Sequence, residues 1–313
     1  MNKLLAPPPP SEAEITLLIE RELGQIPDSI ETLRSGAWSS SLAVTTSHGE
    51  YVVRFAQTPD DFQCDQHASA FATTNLPIPQ VFGIGQHGEH WWCISERMPG
   101  LHLDDLAPDD LVLTLPSVAD MLITMREVDS SGTHGYGGWD ADGNGLFESF
   151  ADQLLDVTRD DPKERGGGWS AFLSQHPYEQ SVFDRGAEKM RELSAFLSTD
   201  RQLIHMDTIN YNVNVVGHAI NGIYDWGCAM WGDAIYDLAW FRFWNPWYPA
   251  WADLDIPGKL ESMVGIEGDY SAERMMSCLL HIGIGHIRYN AFLGDAKGMN
   301  DVAVETERLL VTS

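Results

Sequence analysis

The stretch from Leu203 to Gly227 constrains this chain more than any other. Short apolar runs, Leu203-Ile204, Val213 to Val216 and Ile220 to Tyr224, bracket three polar side chains: Asp207, Asn212 and Asp225. β-Branched residues punctuated by Asn and Gly predict short strands with tight turns, which puts the polar groups at strand ends. Asn212 follows Asp207 by five residues and Asp225 comes thirteen later, a spacing that lets all three converge on one cleft. One carboxylate can then take a proton while an amide oxygen and a second carboxylate hold Mg2+. Phosphoryl transfer to a small molecule needs that set.

Length and charge bound the reading. A chain of 313 residues, 43% of them hydrophobic, can bury a large core and is expected to divide into two lobes. Its 46 Asp and Glu against 19 Lys and Arg give a formal net charge of -27. Such a field repels nucleic acid and anionic membrane and attracts cations, so a cationic small molecule is the expected partner. An acidic surface also aids solubility and by itself identifies no substrate.

Cys64, Cys93, Cys228 and Cys278 are widely spaced, without a CxxC pair or a zinc-type cluster, and are expected to be reduced core thiols. One Lys and then Pro7 to Pro10 precede the first helix, with no apolar core of a signal peptide. No run approaches the length of a membrane span. The expectation is a soluble cytoplasmic protein, with monomer and homodimer both open.

Along the chain, Ser11-Glu12-Ala13-Glu14 is a capping box opening a helix with Ile15, Leu18, Ile19 and Leu23 on one face, stopped at Gly24. Strands are predicted over 30–34, 42–46 and 51–55, with His48-Gly49 turning the second hairpin. Between the first two strands, Ser35 to Ser41 could lay backbone N–H groups and hydroxyls, Ser39 and Ser40 among them, over a phosphate chain, or could be an ordinary loop. Arg54 interrupts the apolar run Val52 to Phe55. It reads equally as a buried cation that needs a partner, which Asp65 on a helix over 60–74 would supply, or as a surface Arg on a half-exposed strand.

Leu76-Pro77-Ile78-Pro79 leads into two further strands, 81–85 and 91–95, giving a five-stranded small lobe. Ser95 to Gly100 breaks the pattern and is the expected hinge. The predicted fold class is α+β: an N-terminal lobe over 1–95, a hinge over 96–100 and a larger, mainly helical lobe over 101–313. Helices are expected over 109–128, 147–157, 179–197, from near Asp233 to before Pro246, 275–292 and 301–310. Residues 130–145 read as a turn-rich loop; its Asp140 to Gly145 matches half of a calcium loop, but Ala151 stands where a bidentate Glu is required. Gly166 to Gly168 reads as a flexible connection.

The chemistry assigns roles. Asp207 would accept or orient the substrate hydroxyl proton, Asn212 and Asp225 would hold Mg2+, and Arg54 would contact the nucleotide phosphates with Asp65 keeping it in place. His205 reads as a brace of the loop.

In these motifs the chain resembles the aminoglycoside phosphotransferases, within the protein-kinase-like fold. His205-Met206-Asp207 with Asn212 matches that family's H-x-D-x4-N loop, and Ile223 to Trp226, Gly232-Asp233 and Asp237-Leu238-Ala239 match its I-D-W, G-D and D-L-A segments. Softer matches point toward the hygromycin B phosphotransferases: Tyr51 to Phe55, Leu76 to Pro79, Cys93 to Ser95, Thr133 to Gly145 and Phe243 to Trp247.

The resemblance implies ATP or GTP with Mg2+, a catalytic Asp207, metal ligands Asn212 and Asp225, and an adenine-binding backbone at Glu96 to Met98. It also implies an aminocyclitol or aminoglycoside acceptor, hygromycin B first; a macrolide, a choline-like amino alcohol, a sugar, or a silent nucleotide-binding module are the alternatives. Two positions depart from the family: Arg54 stands where most relatives carry Lys, and Asp65 where Glu is usual. Arg is not an equivalent point charge, and the shorter Asp requires a closer approach. Asp253, Asp255, Glu261 and Glu267 are acidic residues in the acceptor region to which no role is assigned.

Overall fold

The computed structural model describes residues 6–34, 36–251, 253–266 and 270–312. Helix α1 (Glu12–Leu23) begins and ends where its caps dictate. Ser11 Oγ accepts from the Glu14 N–H while Glu14 accepts from the Ser11 N–H at 2.9 Å, and Gly24 closes the helix at φ 66°. Strands β1 (Pro27–Thr32), β2 (Ser39–Thr46) and β3 (Gly49–Ala56) are followed by α2 (Asp60–Ser69), β4 (Val81–His87) and β5 (His90–Glu96).

The five strands form one antiparallel sheet, as expected, and its order is β1-β2-β3-β5-β4. Alternation along the strands turns Leu42, Val44, Val53, Phe55, Trp92 and Ile94 onto the buried face of α1. Helix α2 is shorter than its predicted span, ending at Ser69, and the Thr73 backbone then bonds reciprocally with Leu76 to turn the chain toward the prolines.

Next come β6 (Leu101–His102), α3 (Pro108–Arg126), β7 (Tyr136–Trp139), β8 (Gly145–Phe147), α4 (Phe150–Asp156), α5 (Ser170–Leu173), α6 (Pro177–Leu193) and β9 (Gln202–Ile204). The glycine-rich segment expected to be loop throughout instead contains the β7/β8 hairpin. Asp140 accepts from the N–H groups of Asp142 and Asn144, both at 2.9 Å, so its carboxylate organises the hairpin turn. Gly166 to Gly168 is likewise pinned: Asp160 accepts from the Gly168 N–H at 2.6 Å and the Ser170 N–H at 3.0 Å.

The chain closes with β10 (Val213–Val216), β11 (Ala219–Ile223), β12 (Met230–Gly232), α7 (Ile235–Trp244), α8 (Ile256–Val264), α9 (Ser271–Leu293) and α10 (Ala296–Thr312). Two small sheets result, β11-β10-β6 and β8-β7-β12-β9. Helix α9 packs against α10, α6 and α7, and Cys278, Leu280, Ile284 and Ile287 on it are fully buried. The four cysteines are free thiols; Cys64, Cys93 and Cys278 are buried as expected, but Cys228 is exposed. No described helix is long and apolar enough to cross a membrane.

The chain forms two compact units. One takes the residues up to Leu103 together with Asn212–Cys228, the other Asp104–Tyr211 together with the residues from Ala229 on. The first unit is therefore built on the sheet plus the β10/β11 hairpin, and the second is mainly helical.

Candidate active site

In the first unit the β10/β11 hairpin explains the thirteen-residue spacing of Asn212 and Asp225. Val213 pairs with Ile223, and the Tyr224 N–H donates to the Asn212 carbonyl at 3.1 Å. Asn212 thus sits opposite the residue that precedes Asp225. Asp225 is held left-handed at φ 67°, a conformation that costs a non-glycine residue about 1–3 kcal/mol unless its surroundings impose it. The following turn supplies that constraint. Trp226 is fully buried, its Nε1–H donates to the Ile223 carbonyl at 3.2 Å, and its N–H donates to Asp65 Oδ1 at 2.8 Å. A Cβ on Gly227 would lie 2.8 Å from Asp61 Cγ, so the chain passes α2 closely there.

Asp65 joins this turn to strand β3. Its second oxygen pairs with Arg54 Nη2, and the two side chains are only 14% and 8% exposed. Arg54 also lies over the Phe62 ring, 5.0 Å from its centroid. Burial opposes the Arg54 charge, but the negative charges of Asp65 and Asp225 favour it, and the guanidinium's pKa is raised overall. The buried-cation alternative is the one the structure contains, and Arg54, Asp65 and Asp225 are electrostatically coupled.

Ser39 and Ser40 are corrected in place: they open β2 instead of lying in a loop, and Ser35 lies outside the described residues. Ser41 pairs with Arg54 and shares its face of the sheet, whereas Ser40 pairs with Phe55 and turns toward the α1 core. The Ser40 Oγ is buried there with no hydrogen-bond partner, so its side chain points away from Arg54.

The segment after β5 is fastened to the hairpin. The Asn214 amide donates to the Met98 carbonyl at 2.8 Å and accepts from the Tyr224 hydroxyl at 2.9 Å. Glu96 Oε2 lies 3.4 Å from the Gln80 N–H. Gly100, at φ 137°, admits no side chain, because a Cβ would come within 2.6 Å of the Val215 carbonyl.

In the second unit, Asp207 follows β9 on a loop fixed from below by α7. Asp237, buried, accepts from the His205 N–H at 3.0 Å and the Met206 N–H at 2.9 Å. Burial pushes its carboxyl up to about 7, and the two N–H groups pull it back only in part. Met206 is left-handed at φ 70°, and the Asp207 N–H donates to His205 Nδ1 at 3.2 Å, so His205 does brace the loop. Beyond Asp207 the loop is held by Asp104 and Tyr248, neither of which stands out in the sequence. Asp233 makes a two-point pair with Arg274, at 2.6 and 2.7 Å, anchoring the start of α7 to α9. A cavity of about 50 Å³ is lined by Asp233, Asp237, Arg274, Arg126 and Gln202, and none of the expected site residues borders it.

Among the acidic residues left unassigned, Asp255 caps α8 and Glu261 pairs with Arg242 at 2.6 Å, while Glu267 lies outside the described residues. The groups beside this turn that could hold a divalent cation are one carboxylate, Asp225, and one amide oxygen, Asn212. Among the described residues no three His, Cys, Asp or Glu cluster to hold a metal alone. Two hard oxygen donors suit Mg2+, which keeps waters and shares its remaining positions with phosphate oxygens.

The model of the phosphotransferase enzyme family matches residues 29–261. Hygromycin-B 4-O-kinase of Escherichia coli is 30% identical over 220 residues, covering 69% of this chain and 62% of that protein, less than two thirds of its length. A thermostable variant of aminoglycoside phosphotransferase APH(4)-Ia, solved with AMP-PNP and hygromycin B, superposes with a TM-score of 0.82 at 22% identity, covering 96% of this chain and 98% of that one. Spectinomycin phosphotransferase APH(9)-Ia, solved with ADP and spectinomycin, gives 0.61 at 12% identity, covering 96% and 95%. At these identities the two structures establish the fold. With its family model matched over well more than half the chain, this protein belongs to the phosphotransferase enzyme family.

Proposed function

We propose that this protein transfers the γ-phosphoryl group of ATP, or GTP, to a hydroxyl of an aminocyclitol or aminoglycoside antibiotic, most specifically hygromycin B, and so confers resistance. The observation that carries the reading is the complete acid–base and metal-ligand set, Asp207, Asn212 and Asp225, in a chain 30% identical to a hygromycin-B 4-O-kinase. Residues 1–95 are read as the nucleotide-binding lobe, 96–100 as the hinge and 101–313 as the catalytic and acceptor-binding lobe. The setting is cytoplasmic, where nucleotide is available.

In this reading the acceptor hydroxyl gives its proton to Asp207 as its oxygen bonds to the γ-phosphorus, and the bond from that phosphorus to the β–γ bridging oxygen breaks to release the diphosphate. Asn212 and Asp225 would hold Mg2+, which neutralises charge on the phosphates when bound. Arg54, kept charged and oriented by Asp65, contacts the phosphates. Ser39 offers its hydroxyl and Ser40 its backbone to them, while the backbone of Glu96 to Met98 takes the base. The excess of acidic residues draws in a polycationic acceptor and disfavours nucleic acid.

Incubation with hygromycin B, ATP and Mg2+, followed by mass and NMR analysis of the product, tests the reading. One added phosphoryl group on the antibiotic is expected. Transfer to a neutral metabolite, and to no aminocyclitol, would overturn it. Asp207→Asn should abolish turnover by about 10³-fold or more while ATP still binds, as measured by calorimetry.

A further inference from the structure

The loop after Asp207 contains two consecutive left-handed residues, Asn210 at φ 81° and Tyr211 at φ 67°. Neither is glycine, and each such residue is about 1–3 kcal/mol above its relaxed conformation unless something external holds it. Successive N–H groups in such a turn point into a common concavity that favours an anion. Asp104 supplies the anion. Its Oδ1 accepts from the Asn210 N–H and its Oδ2 from the Tyr211 N–H, both at 2.9 Å. A third donor, the Tyr248 hydroxyl, reaches Oδ1 at 2.6 Å.

Tyr248 is itself immobilised. Its ring stacks on Trp251 at 4.1 Å between centroids and 19° between planes, and Trp251 is 1% exposed. Burial, the bond to Asp104 and the charge of Asp207 all raise the phenol's pKa, so the hydroxyl remains a donor. The held turn bears directly on the catalytic carboxylate, since the Asn210 side-chain amide lies 3.5 Å from Asp207 Oδ2.

We propose that Asp104 and Tyr248 are positioning residues: Tyr248 orients the Asp104 carboxylate, Asp104 holds the left-handed Asn210–Tyr211 turn, and the turn sets the orientation of Asp207. Asp104 is the first residue of the second unit and Tyr211 the last before the chain leaves it, so the clamp also ties together the two places where the backbone enters and exits. The role in turnover rests on the phosphotransferase reading above; the holding of the turn does not.

The experiment uses the full chain and compares wild type with Tyr248→Phe, Asp104→Asn and the double variant. Hydrogen–deuterium exchange at the Asn210 and Tyr211 amides reads the clamp without turnover, and kcat and KM are measured with hygromycin B and ATP. Exchange at both amides should accelerate by about 10-fold in Tyr248→Phe and further in Asp104→Asn. The expected loss of kcat is about 3- to 10-fold for Tyr248→Phe and about 30-fold or more for Asp104→Asn, with KM for ATP within about twofold. The double variant should lose clearly less than the product of the two single losses, because both residues hold the same turn.

Multiplying losses in the double variant, or unchanged amide exchange in Tyr248→Phe, would overturn the proposal. Should Asp104→Asn fail to fold, the exchange arm of Tyr248→Phe still decides, since that variant removes one hydroxyl and buries no charge. A wild type that phosphorylates no acceptor would sink the functional reading and leave the exchange arm to decide the clamp.

Discussion

Asp65 serves two partners at once, the Arg54 guanidinium on β3 and the Trp226 N–H in the turn after Asp225. The short Asp side chain reaches both, one oxygen to each partner. Asp65→Ala would leave a mostly buried cation and a buried N–H without this carboxylate. Removing one member of such a pair costs about 3–5 kcal/mol. Urea denaturation should show a loss in that range, with Asp65→Glu recovering part of it. A loss below about 1 kcal/mol would mean that Arg54 is sustained by other charges. The same geometry keeps Arg54 in one orientation, which a flexible Lys at this position would not require.

At the level of elements, helix α7 governs the loop that carries Asp207, through Asp237. The Asp237 carboxyl, ordinarily at 3.8, is pushed up to about 7 by burial. Because the folded value lies above the unfolded one, the native state keeps a proton that the unfolded chain gives up. Its stabilisation is therefore complete below about pH 4 and lost as pH rises through about 7. Asp237→Asn should flatten the decline in stability between those limits, as followed by denaturation midpoints across pH. It should also lower stability by about 1–3 kcal/mol, because the amide turns an N–H donor toward one of the two backbone donors. A pH slope equal to that of wild type would show that Asp237 does not titrate in that window.

On the scale of the whole molecule the net charge of -27 dominates. Its field extends about a Debye length, roughly 8 Å at physiological salt, so it accelerates capture of a polycation only at low ionic strength. Raising salt from about 20 to about 300 mM should reduce kcat/KM for a cationic aminocyclitol by about 3- to 10-fold, with kcat little changed. Steady-state kinetics over a salt series measures this. A flat kcat/KM would remove steering from the account and leave the acidic surface a matter of solubility.

What was legible in the sequence was local. The capping box at Ser11, the stop at Gly24, the alternating strands of the small sheet and the H-x-D-x4-N and D-W-G segments each depend on residues a few positions apart. Such signals survive in a linear reading because helix and strand periodicities act over one or two turns. The β7 strand reads as loop because Gly137 and Gly138 carry no apolar alternation, and it becomes a strand by pairing with β8 on one side and with β12, some ninety residues later, on the other. The small hydroxyl-rich segment suggests that Ser40 faces the phosphates, yet the register of β2 against β3 turns its side chain to the face opposite Arg54.

The sequence by itself determined which chemical groups the site contains and the order in which they arrive, since motif spacing is a covalent property. Only the tertiary structure decided what holds them. Asp104 meets Asn210 and Tyr211 across more than a hundred residues, Asp65 meets Trp226 across 161, and Asp237 meets the loop from 32 and 31 residues away. Each of these carboxylates satisfies backbone N–H groups that a strained loop leaves without a secondary-structure partner. That need arises from the folded backbone, so no local pattern announces which distant side chain will meet it.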